Sequence, residues 1–537
     1  MRAVRTMRAT RAKSTPRAKA GILEIDYGIL SSRSAAAFRA SIVALLILGI
    51  AAAARLVVTK PEYVVPFLII AIPAILSLYC WTSARDHGLP LLPVFILQQA
   101  IVYGLPLIIN HPGLKFVKVD IVMTSAMATG SFLLFCLGGW LVGRSSAISR
   151  PSRANLVVAA GSRALDRCLG ISLLLLTLCL GFHLSTRSGI LYQIVPGVDR
   201  LFSVMRNFAT AAGAMGALFG GLAIGSRPTV ARAWIFWTLF AAIFCMEIAD
   251  ILLSGAAGIV LSAAIGLTLG SRKMPLKFLL VTFAVVGFLN QGKFVLRERY
   301  WSGDSNTTAV SLTGLPSLYV EWSAASISSF MGNQAGKQVA LQSGKQEDEE
   351  GQSFLERVNN LQNMTYVMEC FYDRAATPMM GETYALIPPL FVPRFLWQDK
   401  PRTHEGQVRL NLHFGRQSSV EETEKTYIAW GLLPEGVGNF GPIGGPMILG
   451  LVLGFVMGWL ETVSRRKRVF SVEGMALAGT LLMVASSYEQ VASVFLTATF
   501  QFVVAAVIGG VLLRLWVSGS EKAHAPHNLQ RFRKIAP

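Results

Sequence analysis

Apolar runs long enough to cross a lipid bilayer recur along this chain, and only one long polar stretch, from Lys293 to Phe440, interrupts them. A helix needs about 20 apolar residues to cross the hydrocarbon, and only a helix or a closed barrel satisfies every backbone polar group there. Runs of this length predict an all-α polytopic membrane protein of about twelve transmembrane helices. The expected spans are Ser41–Val58, Tyr63–Trp81, Leu89–Ile109, Val119–Gly143, Leu165–Thr186, Val204–Ile224, Val230–Leu252, Ser254–Gly270, Met274–Gly292, Gly441–Glu461, Val472–Ala492 and Phe495–Val517. Composition agrees, with 53% hydrophobic and 15% charged residues and a mean hydropathy of +0.51. The six cysteines are scattered, and all but Cys370 fall in or beside apolar runs, so neither a disulfide framework nor a metal site is predicted.

Lys and Arg retained in cytoplasmic loops set the orientation. Placing both termini in the cytoplasm puts the basic segment 1–40 inside, followed by Arg144, Arg150, Arg153 and Arg163, then Arg227 and Arg232, then Arg272, Lys273 and Lys277, then Arg465 to Arg468. Loops of opposite parity hold few basic residues, chiefly Lys60, Lys115, Lys118, Arg187 and Arg200. Segment 41–292 then carries the first nine helices, 293–440 forms a large outward loop, 441–517 carries the last three helices, and 518–537 is a cytoplasmic tail. The first helix reads as uncleaved, because its apolar run continues past Ala54 through Val58. The net charge of +19 is accounted for by these inside loops and tails, so no nucleic-acid partner is expected.

Within the outward loop the early part is polar and poorly patterned, and Lys345 to Glu350 reads as a solvated tip. From Phe354 to Phe371 apolar residues recur at helical spacing, which predicts a helix along the membrane surface, covering a site rather than forming one. Gly381 to Pro401 reads G-E-T-Y-A-L-I-P-P-L-F-V-P-R-F-L-W-Q-D-K-P, and its prolines forbid a regular helix. There Phe391, Phe395 and Trp397 suit a sugar face or the membrane interface, while Arg394, Lys400 and Arg402 suit phosphate oxygens. An aromatic and basic belt that only anchors the loop is the alternative.

The stretch P-R-F-L-W-Q-D-K-P (Pro393–Pro401), a polar spacer, and E-K-T-Y-I-A-W-G-L-L-P-E-G-V-G-N-F-G-P-I-G-G-P (Glu424–Pro446) leading into a glycine-rich helix resembles the end of the large periplasmic loop of Wzy-type bacterial polymerases of O-antigen and exopolysaccharide repeat units. The late outward loop followed by a few helices is similar in arrangement too. Two places depart from the family pattern. Where many members carry a G-S-R-G-like motif this chain reads S-G-A-A-G (Ser254–Gly258), and arginine motifs with a glycine eleven residues later do not fall on Arg394, Arg402, Arg409 or Arg416.

The resemblance implies a bacterial inner-membrane glycosyltransferase, metal-independent and without a cofactor. Its substrate would be an oligosaccharide on a polyprenyl pyrophosphate, and its partners the bilayer, a chain-length co-polymerase and a flippase. Such chemistry needs a base for the attacking hydroxyl and cations for the departing pyrophosphate. The candidate bases are His404 and Glu405, with Glu382, Asp399, Glu424 and Glu435 behind them. The candidate cations are Arg394, Lys400, Arg402 and Arg409 in the loop, and Lys293, Arg297 and Arg299 where the ninth helix leaves the membrane. Arg55, His183, Arg187, Arg206, Asp250 and Glu489 fall toward the outer ends of their helices, where a head group would lie, with helix-end anchoring as the alternative. An O-antigen ligase shares this topology, with His404 or His413 as its base. A transporter or flippase would be expected to show an internal repeat, and none is found; a membrane scaffold leaves these charges without a task.

Overall fold

The computed structural model describes residues 26–146, 162–194, 198–227, 232–251, 253–301, 310–343, 358–392, 396–397, 399–425, 428–469, 471–486 and 489–523. Its regular structure is helical: α1 Tyr27–Thr59, α2 Val64–Ser83, α3 Leu91–Ile108, α4 Val119–Ser146, α5 Ser162–Arg187, α6 Ile190–Ile194, α7 Val198–Ser226, α8 Ala233–Ile248, α9 Leu253–Ser271, α10 Leu276–Trp301, α11 Leu315–Ser343, α12 Leu361–Tyr372, α13 Glu382–Ala385, α14 Ile387–Leu390, α15 Glu405–His413, α16 Val420–Lys425, α17 Leu432–Ser464, α18 Val472–Ser486 and α19 Ala492–Ala523. Among the described residues, nine helices are long and apolar enough to cross a membrane. Three shorter apolar helices, Ala233–Ile248, Gly255–Ser271 and Val472–Ser486, fall on the remaining expected spans. The chain is a helical, multi-pass membrane protein.

Helices in lipid gain little from burying apolar surface, so close approach at small residues holds them together. The α4/α17 seam is built this way from both sides. A Cβ at Gly143 would collide with the backbone of Phe455 and Trp459, and one at Gly454 or Gly458 with the backbone of Cys136 or Trp140. The α7/α9 seam repeats the device with Gly221 and Gly225 facing Gly266 and Gly270.

Three features differ from the sequence expectation. First, α1 begins at Tyr27, inside the segment read as a basic arm, because Tyr27, Leu30, Ser34 and Phe38 form a buried stripe. The Tyr27 hydroxyl donates to the Gly474 carbonyl at 2.8 Å, tying this end to the start of α18. Second, the early loop is not unpatterned: α10 continues to Trp301, and α11 packs back along it. Third, the apolar face of α12 is packed against other helices. Leu361, Met364, Val367 and Met368 are each at most 1% exposed, since α12 packs against α3, α4 and α17. Residues 354–357 of that expected helix lie outside the described residues.

Helix α17 is two helices joined at Gly441, whose φ of 77° and ψ of 173° suit glycine and little else. Pro442 then occupies the first turn of the second helix, where its missing N–H costs nothing. The break falls at Gly441, the expected start of the span, within the apolar stretch Leu432–Ser464.

Candidate functional site

The buried end of α12 and the C-terminal end of α15 meet around one arginine. Helix α15 stops at His413; Gly415, at φ 67°, turns the chain left-handed, and the Arg416 N–H donates to the Asn411 carbonyl at 2.8 Å. That turn aims the Arg416 side chain back over α12. Its Cζ lies 5.1 Å from the Tyr366 ring centroid and 5.7 Å from that of Trp430, and the two rings meet edge to face. Nη1 donates to Asn363 Oδ1 at 2.9 Å.

A chain of amides fixes this box. Asn363 Nδ2 donates to Asn360 Oδ1 at 2.7 Å, and Asn360 Nδ2 donates to the hydroxyl of Tyr103 on α3 at 2.9 Å. On the other side Trp430 Nε1 donates to Asn411 Oδ1 at 2.6 Å, and Asn411 Nδ2 to Gln417 Oε1 at 2.7 Å. Asn360, Asn411 and Trp430 are fully buried, so each unmade bond here would carry a full desolvation penalty. The box is rigid for that reason.

Its charge is not compensated internally. Burial lowers the Arg416 pKa from the ordinary arginine value, partly opposed by Tyr366 and Cys370, and among the described residues no carboxylate pairs with it. Arg374 adds a second guanidinium, 5.5 Å from the same Tyr366 ring, and is exposed. Its pKa is raised, first by Cys370 and then by its hydrogen bond to Tyr366. Glu369, one turn beyond Tyr366 on α12, is half-buried, and burial raises its pKa against the pull of Arg374. Lys118 at the start of α4 is taken by Asp373, at 3.0 Å. The arrangement offers two guanidiniums to an anion and one carboxylate poised to accept a proton.

The residues predicted from sequence fall into different settings. Arg394 lies outside the described residues. Arg409 sits between two carboxylates, Glu382 and, at 3.5 Å, Glu405, so this cation and the candidate base Glu405 are engaged with each other. Lys400 donates to the carbonyls of Leu390 and Val392, at 2.9 and 2.6 Å, closing the short proline-containing α14. His404 precedes the first turn of α15, with Nδ1 3.3 Å from Gln407 Oε1. Arg402 and Trp397 are exposed beside it. Helix α15, about 13 Å long for its nine residues, separates His404 and Glu405 from the Arg416 box.

Arg187, Asp250 and Arg297 form another group at the α8–α9 turn. Arg187 bonds Asp250 Oδ1 at 2.7 Å and the carbonyls of Met246 and Val310 at 3.2 Å. Arg297 reaches the carbonyl of Ile251, at 3.3 Å, and Ile251 is itself held at φ 57°. Lys293 is 7% exposed, and Arg206 is exposed beside Asn207, which bonds Gln501 at 2.9 Å. His183 and Glu247, 3.3 Å apart, add a second pair one turn along the same α5/α8 seam.

Sequence reading missed Asn363, Tyr366, Glu369 and Arg374, and named Arg416 only as a poor motif match. The available signals were the amide cluster N-N-L-Q-N at 359–363 and the Gly415–Arg416 helix stop. Glu435 proves to be a tie between the loop and the bundle: its carboxylate accepts from Thr383 Oγ1 at 2.7 Å and from the Ala492 N–H at the start of α19. Asn439 Nδ2 donates to Thr383 Oγ1 at 2.8 Å, closing the network.

No family model matches this chain, and no curated protein or solved structure does either.

Proposed function

We propose that this chain polymerises polyprenyl-pyrophosphate-linked oligosaccharide repeat units at the outer leaflet of the bacterial inner membrane. The observation that carries the reading is Arg416, a half-buried guanidinium boxed by Tyr366 and Trp430 with no carboxylate partner among the described residues, and with Arg374 on the same ring. A half-buried cation without a counter-charge is costly to keep, and a pyrophosphate would supply the missing charge. The loop's outward placement and the cytoplasmic termini rest on the distribution of Lys and Arg.

In this reading a sugar hydroxyl of the incoming unit attacks the anomeric carbon of the growing chain. The new C–O bond forms as the bond to pyrophosphate breaks, and the leaving oxygen takes the electron pair toward Arg416 and Arg374. Glu369 accepts the hydroxyl proton, and its raised pKa makes it the stronger base for that step. The similarity of Pro393–Pro401 and Glu424–Pro446 to the polymerase loop supports the substrate class.

The test is deletion of the gene in its host, with the lipid-linked oligosaccharides run beside the surface polymer. Single units left on the carrier without long polymer are the expected result. Normal long chains lacking only their final attachment would mean a ligase, and unchanged pools would mean that the chain makes no glycan bond.

A further inference from the structure

The helix Leu315–Ser343 is not among the helices apolar enough to cross a membrane, yet its packing places it beside one that is. Glu321 bonds Tyr300 at 2.9 Å and pairs with Arg299 near the end of α10. Further along α11, Ser326 lies against Gly292, and Trp322 Nε1 donates to the Leu289 carbonyl at 2.6 Å. The two helices therefore run antiparallel, with α11 advancing back along α10. Gly292 permits the approach, since a Cβ there would come 2.7 Å from the Ser326 nitrogen. Leu289 and Gly292 belong to the apolar span Leu276–Lys293. From Ser326 onward α11 thus lies alongside residues at hydrocarbon depth.

Its two faces carry different loads. Leu315, Leu318, Trp322 and Ser326 form the stripe buried against α10 and the α8–α9 turn. On the far side Val320, Ile327, Phe330 and Met331 are 72%, 49%, 66% and 72% exposed. Their spacing puts them on one face of the helix. On α10 the apolar residues Leu280, Val281 and Phe288 are likewise exposed. Against water such a stripe would forgo the gain of burying apolar surface.

We propose that α11 is embedded in the bilayer beside α10, with the Val320–Met331 face covered by lipid acyl chains. The membrane boundary then falls within the segment that hydropathy assigns to the soluble loop, and the α10/α11 hairpin is a membrane element at the edge of the bundle.

Spin labels test this in full-length protein reconstituted into phospholipid bilayers. Cysteines at Val320, Ile327 and Met331 would be introduced singly in a Cys80→Ser, Cys245→Ser background, because the other four native cysteines are buried. Leu280→Cys on α10 serves as the lipid reference and Val420→Cys on α16 as the water reference, both positions being exposed. The expected result is an oxygen-to-nickel-chelate collision ratio that rises from Val320 to Met331 and reaches the Leu280 value. A ratio matching Val420 at Ile327 and Met331 would overturn the proposal. Weak collisions with both reagents would overturn it too, by showing that protein, either a second copy or a partner, covers the stripe.

Discussion

Helix α17 carries a fully buried carboxylate near each end, and the two are satisfied by different means. Glu461 accepts from the indole N–H of Trp81 at 2.8 Å and of Trp140 at 2.6 Å, and pairs with Arg144 at 3.1 Å. Arg144 in turn stacks 4.6 Å from the Trp140 ring and donates to the Asp86 carbonyl at 2.9 Å. Glu435 has no cation partner among the described residues; it accepts from a hydroxyl on α13 and from the first backbone N–H of α19, where the helix dipole favours negative charge. The Glu461 end binds transmembrane helices α2, α4 and α17 to one another. The Glu435 end binds the loop assembly to the bundle, and that assembly presents Arg416. A charge held by a counter-charge is held by Coulomb attraction as well as by hydrogen bonds, whereas one held by neutral donors depends on hydrogen-bond geometry alone.

The sharpest way to break this contrast is Glu461→Ala. It leaves Arg144 buried without its acceptor, a loss of about 3–5 kcal/mol, and a collapse of folded protein in membranes and of its melting temperature in detergent is expected. Glu435→Ala strands two donors at about 1–3 kcal/mol; the bundle should still assemble, but proteolysis should reach the loop faster and polymer formation should fall. Equal losses of folded protein for the two variants would show that the ends do not differ in kind.

Arg416→Gln inverts the pattern. It removes an uncompensated half-buried cation, so folded protein should be undiminished while polymer synthesis drops about 100-fold, the scale on which one transition-state donor acts. The acid limb of the activity–pH profile should lie above the ordinary glutamate range, because burial raises the Glu369 pKa and the base works only when deprotonated. Activity is then lost as pH falls through that raised value, and Glu369→Gln should be inactive across the profile. Arg409→Ala is expected to do least: its partners are half-exposed, so about 1 kcal/mol or less is at stake, read by melting temperature and polymer length.

The spans were legible because bilayer crossing is a local property of about 20 consecutive residues. The expected start of the tenth span at Gly441 coincides with the Gly441–Pro442 break on similar grounds, since backbone torsion is written residue by residue. What distinguishes Arg416 from Arg409 is not written locally. Both follow polar loop sequence on or beside the same short helix, but the fold surrounds one with Glu382 and Glu405 and the other with Tyr366 and Trp430. Helix α11 escaped for a related reason. Its serines and Glu321 lower its hydropathy, while Trp322, Ser326 and Gly292 decide its placement through contacts with another helix.

The measurement that bears most directly on the central claim is the lipid-linked oligosaccharide pool in cells carrying Arg416→Gln at wild-type membrane abundance. Accumulated single repeat units with long polymer lost is the predicted result. Polymer of normal length and amount from that variant would contradict the assignment of the Arg416 box as the pyrophosphate site.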